Sequence, residues 1–229
     1  GPNIPKGNWT ITGQGSDQAV RDVKLAGQTL EGALQAEAAA TWAPTVGWQA
    51  TISGQGINPG AHWKDVPGKL NFRLKTDGGL ENAALRANVL LEELTGTLSG
   101  QKVAGNADVS LRDQNLTIRY LQINAGDTRL EASGALTERW DLTWKLNAPQ
   151  LKSLVPSVSG SVVSNGKLSG SRTQPLIAAN FTVNNLKQGD TQIQQLRSEA
   201  NIDVGSASRS QLKVSGENLR LGGQKWKSL

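Results

Sequence analysis

The residues of this chain that could do chemistry are few, and none has the company that chemistry needs. His62, the sole histidine, stands beside Trp63 and close to Asp65, a set that suggests a general base or half of a metal site. One histidine in a chain without cysteine makes a poor zinc site, because zinc wants several nitrogen or sulfur ligands together. The surrounding 57–68 segment is punctuated by Pro59-Gly60 and Pro67-Gly68 and reads as a structural loop. Ser99 with Lys102, and Ser164 with Lys167, match the S-x-x-K of serine acyl-enzymes. That chemistry needs the serine at a helix start and partner motifs that are absent here. Both pairs read as hairpin turns. Gly13-Gln14-Gly15 leads into no helix, so it fails as a phosphate loop. Glu92 and Glu93 are adjacent and would point to opposite sides of a strand, the wrong geometry for a carboxylate pair. The sequons at Asn8, Asn115 and Asn180 arise freely in polar strand sequences and carry no weight. The reading is no enzyme, no metal centre and no cofactor.

What persists along the chain is alternation. In 141–148, Leu142, Trp144, Leu146 and Ala148 fall on one side of an extended strand, with Asp141, Thr143, Lys145 and Asn147 on the other. Comparable stretches recur at 8–12, 20–25, 30–40, 47–53, 70–75, 85–91, 105–111, 116–123, 130–136, 140–148, 160–168, 177–183, 198–204, 211–214 and from 219 onward. Their spacing is that of an all-β protein, and its regularity favours an antiparallel meander. Segment 30–40 is rich in alanine and glutamate, which favour helix. Its period of two argues for strand. Between Pro149 and Pro156, Leu151, Leu154 and Val155 suggest a short helical or irregular segment over 149–157.

Composition narrows the class further. Of 229 residues, 37% are hydrophobic and 4% aromatic, too little for a thick closed core, which favours an elongated single layer. The 26 glycines supply turns. The 24 basic and 19 acidic residues are interspersed, without the cationic run of a nucleic-acid site. No stretch approaches the ~20 apolar residues of a membrane span. Gly1-Pro2 looks like the remnant of a cleaved tag, and 3–229 reads as one continuous β segment of degenerate repeats. The seven tryptophans are dispersed from Trp9 to Trp226, which suits core or groove lining better than a sugar platform.

One pattern goes beyond periodicity. Leu146-Asn-Ala-Pro-Gln-Leu151, Leu154-Val-Pro156, Gly160, Gly166-Lys-Leu-Ser-Gly170, Gln174-Pro-Leu-Ile-Ala-Ala179, Leu186, Ile193-Gln-Gln-Leu196 and Ala200-Asn-Ile202 closely resemble the repeat unit of the TamB family of AsmA-like bridge proteins. Gly56-Ile-Asn-Pro-Gly60 and Trp63-Lys-Asp-Val-Pro-Gly-Lys-Leu70 look like the preceding unit. The resemblance implies a Gram-negative envelope protein, periplasmic and anchored in the inner membrane by an N-terminal helix outside this chain. It implies a long sheet curled into a U-shaped trough, a β-taco with an apolar concave face. It also implies movement of phospholipids between the inner and outer membranes, and outer-membrane protein assembly with the barrel partner TamA through regions outside this segment.

Alternation then nominates a lining for phospholipid acyl chains: Leu34, Trp48, Ile52, Phe72, Leu74, Val109, Leu111, Ile118, Leu130, Leu142, Trp144, Leu146, Ile177, Phe181, Val183, Ile202 and Val204. Two other readings stand beside the conduit. The sheet edges could hold unfolded outer-membrane β-strands by augmentation, or the segment could be a passive periplasmic spacer. A charge introduced by Leu146→Asp or Val183→Asp should block lipid transfer with the fold intact if the conduit reading holds.

Overall fold

The computed structural model describes residues 7–228, so the Gly1-Pro2 pair lies outside the described residues. The chain forms β1 (Gly7–Gly15), β2 (Ala19–Thr29), β3 (Gly32–Thr41), β4 (Gly47–Ile57), β5 (Gly68–Glu81), β6 (Ala84–Leu98), β7 (Gln101–Arg112) and β8 (Asn115–Ala125). It continues through β9 (Thr128–Leu136), β10 (Arg139–Ala148), β11 (Ser159–Ser171), β12 (Pro175–Gln188), β13 (Thr191–Asp203), β14 (Gln211–Leu221) and β15 (Gln224–Ser228). These 15 strands pair in chain order as one antiparallel meander. Strand contacts cluster into two units, divided between Leu121 and Gln122.

Local chemistry explains the turns. Ser99 and Gly100 both have positive φ, at 48° and 80°, the pair of left-handed residues that a two-residue hairpin needs to match strand twist. Ser99 therefore sits in a hairpin turn, whereas Ser164 and Lys167 lie in mid-strand in β11 and not in a turn. In the alanine-rich 30–40 segment Leu30 and Glu31, at φ 48° and 61°, form the turn and do not alternate, and the rest becomes β3 because its small residues meet apolar partners on both sides. Ala36 faces Leu25 on β2 and Ile52 on β4. Short 3₁₀ turns at Pro59–Ala61, Leu151–Ser153 and Ala207–Arg209 interrupt three of the connections.

The loop holding His62 is braced. Asn58 Oδ1 accepts hydrogen bonds from the amides of Gly60 and Gly68, at 3.0 and 2.9 Å, and the Asn58 amide donates to Leu30 O in the preceding hairpin. His62 stacks edge-on against Trp63, with ring centroids 4.8 Å apart. This is loop packing, and among the described residues no titratable group is hydrogen-bonded or ion-paired to His62.

Strict alternation is broken at recurring three-residue steps. Val20 and Val23, Gly54 and Ile57, and Leu91 and Leu94 each flank a register shift, so two polar or glycine residues oppose one residue of the neighbouring strand. The step at Leu91–Leu94 leaves both leucines on one face, opposite Ala107 and Gly105. Glu92 and Glu93 therefore fall together on the other side, not on opposite sides. In the second unit Val183 to Leu186, Ile193 to Leu196 and Gly216 to Leu219 make the same step on three adjacent strands. Their mutual register holds because the strands step together. Asn185 and Asn218, at φ 51° and 48°, supply the left-handed residue in two of these steps.

The core is correspondingly thin. No large side chain among the described residues is fully buried, and the one buried cluster is Val183, Ile193 and Leu219, packed by Val162, Leu186 and Leu196.

Candidate functional site: the apolar sheet face

Directly paired residues on neighbouring antiparallel strands project to the same face. In the first unit this gives continuous rows. Leu34 faces Gly54, which faces Phe72, which faces Leu94. Beside it run Leu25, Ala36, Ile52, Leu74, Leu91 and Ala107. The next row carries Val23, Ala38, Ala50, Thr76, Val89 and Val109. Then come Val20, Ala40, Trp48, Gly78, Ala87 and Leu111. Leu34, Trp48, Ile52, Phe72, Leu74, Val109 and Leu111 thus share one face. Ile118 joins them by alternation, because its neighbour Arg119 is ion-paired to Asp108 on the opposite face.

The second unit repeats the arrangement. Leu142 faces Gly134 and Leu168, and the row continues through Ile177 to Ile202. Ala132, Trp144, Gly166, Ala179 and Ala200 form the next. Leu130, Leu146, Ser164, Phe181 and Ser198 follow. Ala148, Val162, Val183, Leu196 and Gly216 come last. Val204 falls outside these rows. It lies past the end of β13 and is 59% exposed, because Asp203 closes a turn there by accepting the Gly205 amide at 2.9 Å.

Apart from nearly buried Val183 and exposed Phe181, the strand-borne residues nominated for the lining are half-buried. Several members of the face escape a period-of-two reading. Leu94, Leu186, Ile193 and Leu219 sit one residue out of phase, across the three-residue steps. For Leu186 and Leu219 the signal is the residue in the gap, Asn185 or Asn218, which tolerates a left-handed backbone; the gaps at Leu94 and Ile193 hold only Glu92-Glu93 and Gln194-Gln195 and carry no such signal.

Four aromatic rings on this face lie over glycines. Trp9 is paired with Gly27, Phe72 with Gly54, Trp48 with Gly78, and Trp144 with Gly166. The ring covers peptide groups that glycine leaves bare. The opposite face is ionic. Glu92 accepts from Lys75 Nζ at 2.5 Å and pairs with Arg73 Nε at 3.0 Å, and Lys167 pairs with Asp141 at 2.8 Å. The Lys75 hydrogen bond is the largest influence on the Glu92 carboxyl. With the charges of Lys75 and Arg73, it outweighs partial desolvation and holds the group below its ordinary range. A depression of about 470 Å³ on this side is lined by Lys24, Glu37, Lys75 and Asp77 among others, with both charge signs present. No cluster that could hold a metal ion occurs among the described residues.

A family model described as TamB, N-terminal domain, matches residues 1–229. The chain belongs to the TamB family. It is 27% identical over 222 residues to a Haemophilus influenzae protein named translocation and assembly module subunit TamB, covering 96% of this chain and 17% of that protein. No solved structure matches. No helix among the described residues is long and apolar enough to cross a membrane.

Proposed function

We propose that this segment is part of a periplasmic conduit in which the apolar sheet face carries phospholipid acyl chains between the inner and outer membranes. The observation that carries this reading is the continuity of the face. The paired rows are made of Leu, Ile, Val, Ala, Trp and Phe with glycines between them, their polar members are the hydroxyl residues Thr76, Ser164 and Ser198, and no charged side chain stands in them. Each acyl methylene removed from water contributes about 0.8 kcal/mol, and a lining without a deep polar pocket lets that contact be made and broken step by step. The buried cluster in the second unit supports an apolar face that packs against itself. Val183 and Leu219 reach 2% and 3% exposure, packed by Val162, Leu186 and Leu196 of neighbouring strands. The longer protein would sit in the inner membrane by an anchor outside this chain. It would act in outer-membrane protein assembly, with the barrel partner TamA engaged through other regions.

The test is placement of a photo-crosslinker at Leu146 in cells, followed by mass spectrometry of what is captured, with Leu146→Asp as the companion variant. Phospholipid adducts at Leu146, and loss of lipid transfer with an unchanged far-UV spectrum in Leu146→Asp, are expected. Capture of protein clients on edge strands with no lipid at Leu146 would replace the conduit by a strand-holding chaperone. Full function of Leu146→Asp without any capture would leave a spacer. Leu146 is a better site than Val183, because a charge at nearly buried Val183 would break the cluster it anchors.

A further inference from the structure

Two tryptophans on the apolar face are held in the same way, one in each unit. Trp48 lies over Gly78 and its Nε1 donates to Thr76 Oγ1 at 3.4 Å. Trp144 lies over Gly166 and its Nε1 donates to Ser164 Oγ at 3.1 Å. In both cases the hydroxyl stands two residues before the glycine, hence on the same face and one rung along. The fit beneath the rings is close. A Cβ at Gly78 would come 2.2 Å from Trp48 Cζ2, and one at Gly166 would come 2.3 Å from Trp144 Cη2. Phe72 over Gly54 repeats the pattern without a polar atom, at 2.3 Å. Carbon atoms in contact sit about 3.5–4.0 Å apart, so one methyl group at any of these glycines must lift the ring by more than about 1 Å.

We propose that Gly54, Gly78 and Gly166 are recesses that set the clearance above the apolar face, and that Thr76 and Ser164 are positioning residues that pin the indoles flat into them. Glycine costs strand stability, because it orders more backbone and packs no side chain. Here that cost is offset by a ring stowed against the backbone, out of the path of whatever lies on the face. The hydroxyl partner also uses up the only donor of each indole. The two plates therefore present hydrocarbon alone, which suits an acyl chain and not a polypeptide whose amides and carbonyls would go unpaired there. This inference rests on the lipid-conduit reading and adds which residues keep the conduit open.

The test uses the purified chain loaded with phosphatidylcholine brominated on one acyl chain, with bound lipid counted by mass spectrometry and tryptophan emission recorded. The wild-type chain should be quenched, and the quenching should fall in Trp144→Phe. Gly166→Ala should bind several-fold less lipid with an unchanged far-UV spectrum, and Ser164→Ala, which frees the indole, should do the same. Adding Trp144→Leu to Gly166→Ala should restore most of the binding, since the ring is then gone and only the 2.9 Å approach to Ala178 O remains. A general loss of stability would not be rescued in that way. Should Gly166→Ala fail to fold, Ser164→Ala and Gly54→Ala read the same point. Lipid bound normally by these folded variants, or bound without quenching Trp144, overturns the clearance proposal while leaving the conduit standing. No lipid bound by the wild-type chain overturns both.

Discussion

The ionic face has one carboxylate whose titration can be followed to a stability consequence. Glu92 is held below its ordinary range in the folded chain, by its hydrogen bond from Lys75 first and by the charges of Lys75 and Arg73. Its folded value lies under its unfolded one, so the contribution is present in full above the ordinary carboxylate range. It disappears as pH falls through the depressed folded value. Urea midpoints measured against pH should therefore show Glu92→Gln less stable than the parent at neutral pH, with the gap closing in acid. A gap that persists unchanged into acid would contradict this. The gap should also shrink in high salt, because the pair is solvent-accessible. None of this was legible from the adjacent Glu92-Glu93. Alternation sends neighbours to opposite faces, and only the inserted residue in β6 puts both on the polar side. Leu142, Trp144 and Leu146 were legible at once, because β10 runs without irregularity and its exposure alternates residue by residue.

Strands in this chain are defined as much by where they break step as by where they alternate. The steps at Asn184-Asn185, Gln194-Gln195 and Glu217-Asn218 lie across β12, β13 and β14 and gather Val183, Ile193 and Leu219 into one cluster. Such irregularities bend a sheet. Asn185 at φ 51° is the sensitive point. Asn185→Val should destabilise the chain by about 1–2 kcal/mol through left-handed backbone strain, while Asn185→Gly should be neutral or nearly so. Denaturant melts of both variants check this, and equal stability of the two would show that the backbone conformation is not what matters there. A glycine-like gap residue between two apolar ones, as in Val183-Asn-Asn-Leu186, is the sequence signal for such a step. A search for period two reads it instead as the end of a strand. The out-of-phase part of the face was missed for that reason, and Val204 was included by extending the period past Asp203 into a turn.

At the scale of the molecule, each strand is held by its sequence neighbours and by little else. Pairing in chain order makes stability a sum of local interfaces, as in repeat proteins, and not the property of one central core. Amide exchange should then show graded protection, highest at the β12–β14 cluster and low in β1, where every residue is exposed. A single uniform protection level across all strands would argue for global cooperativity instead. Neighbour-only pairing has a further consequence for how such a chain can change. Inserting or deleting one strand would reverse the direction of every strand after it and carry each later loop to the other rim, whereas two strands leave both unchanged. The span of the sheet is therefore adjustable only in increments of a hairpin, about 9.6 Å at the usual spacing of neighbouring strands, and a gap of fixed width is matched by counting hairpins.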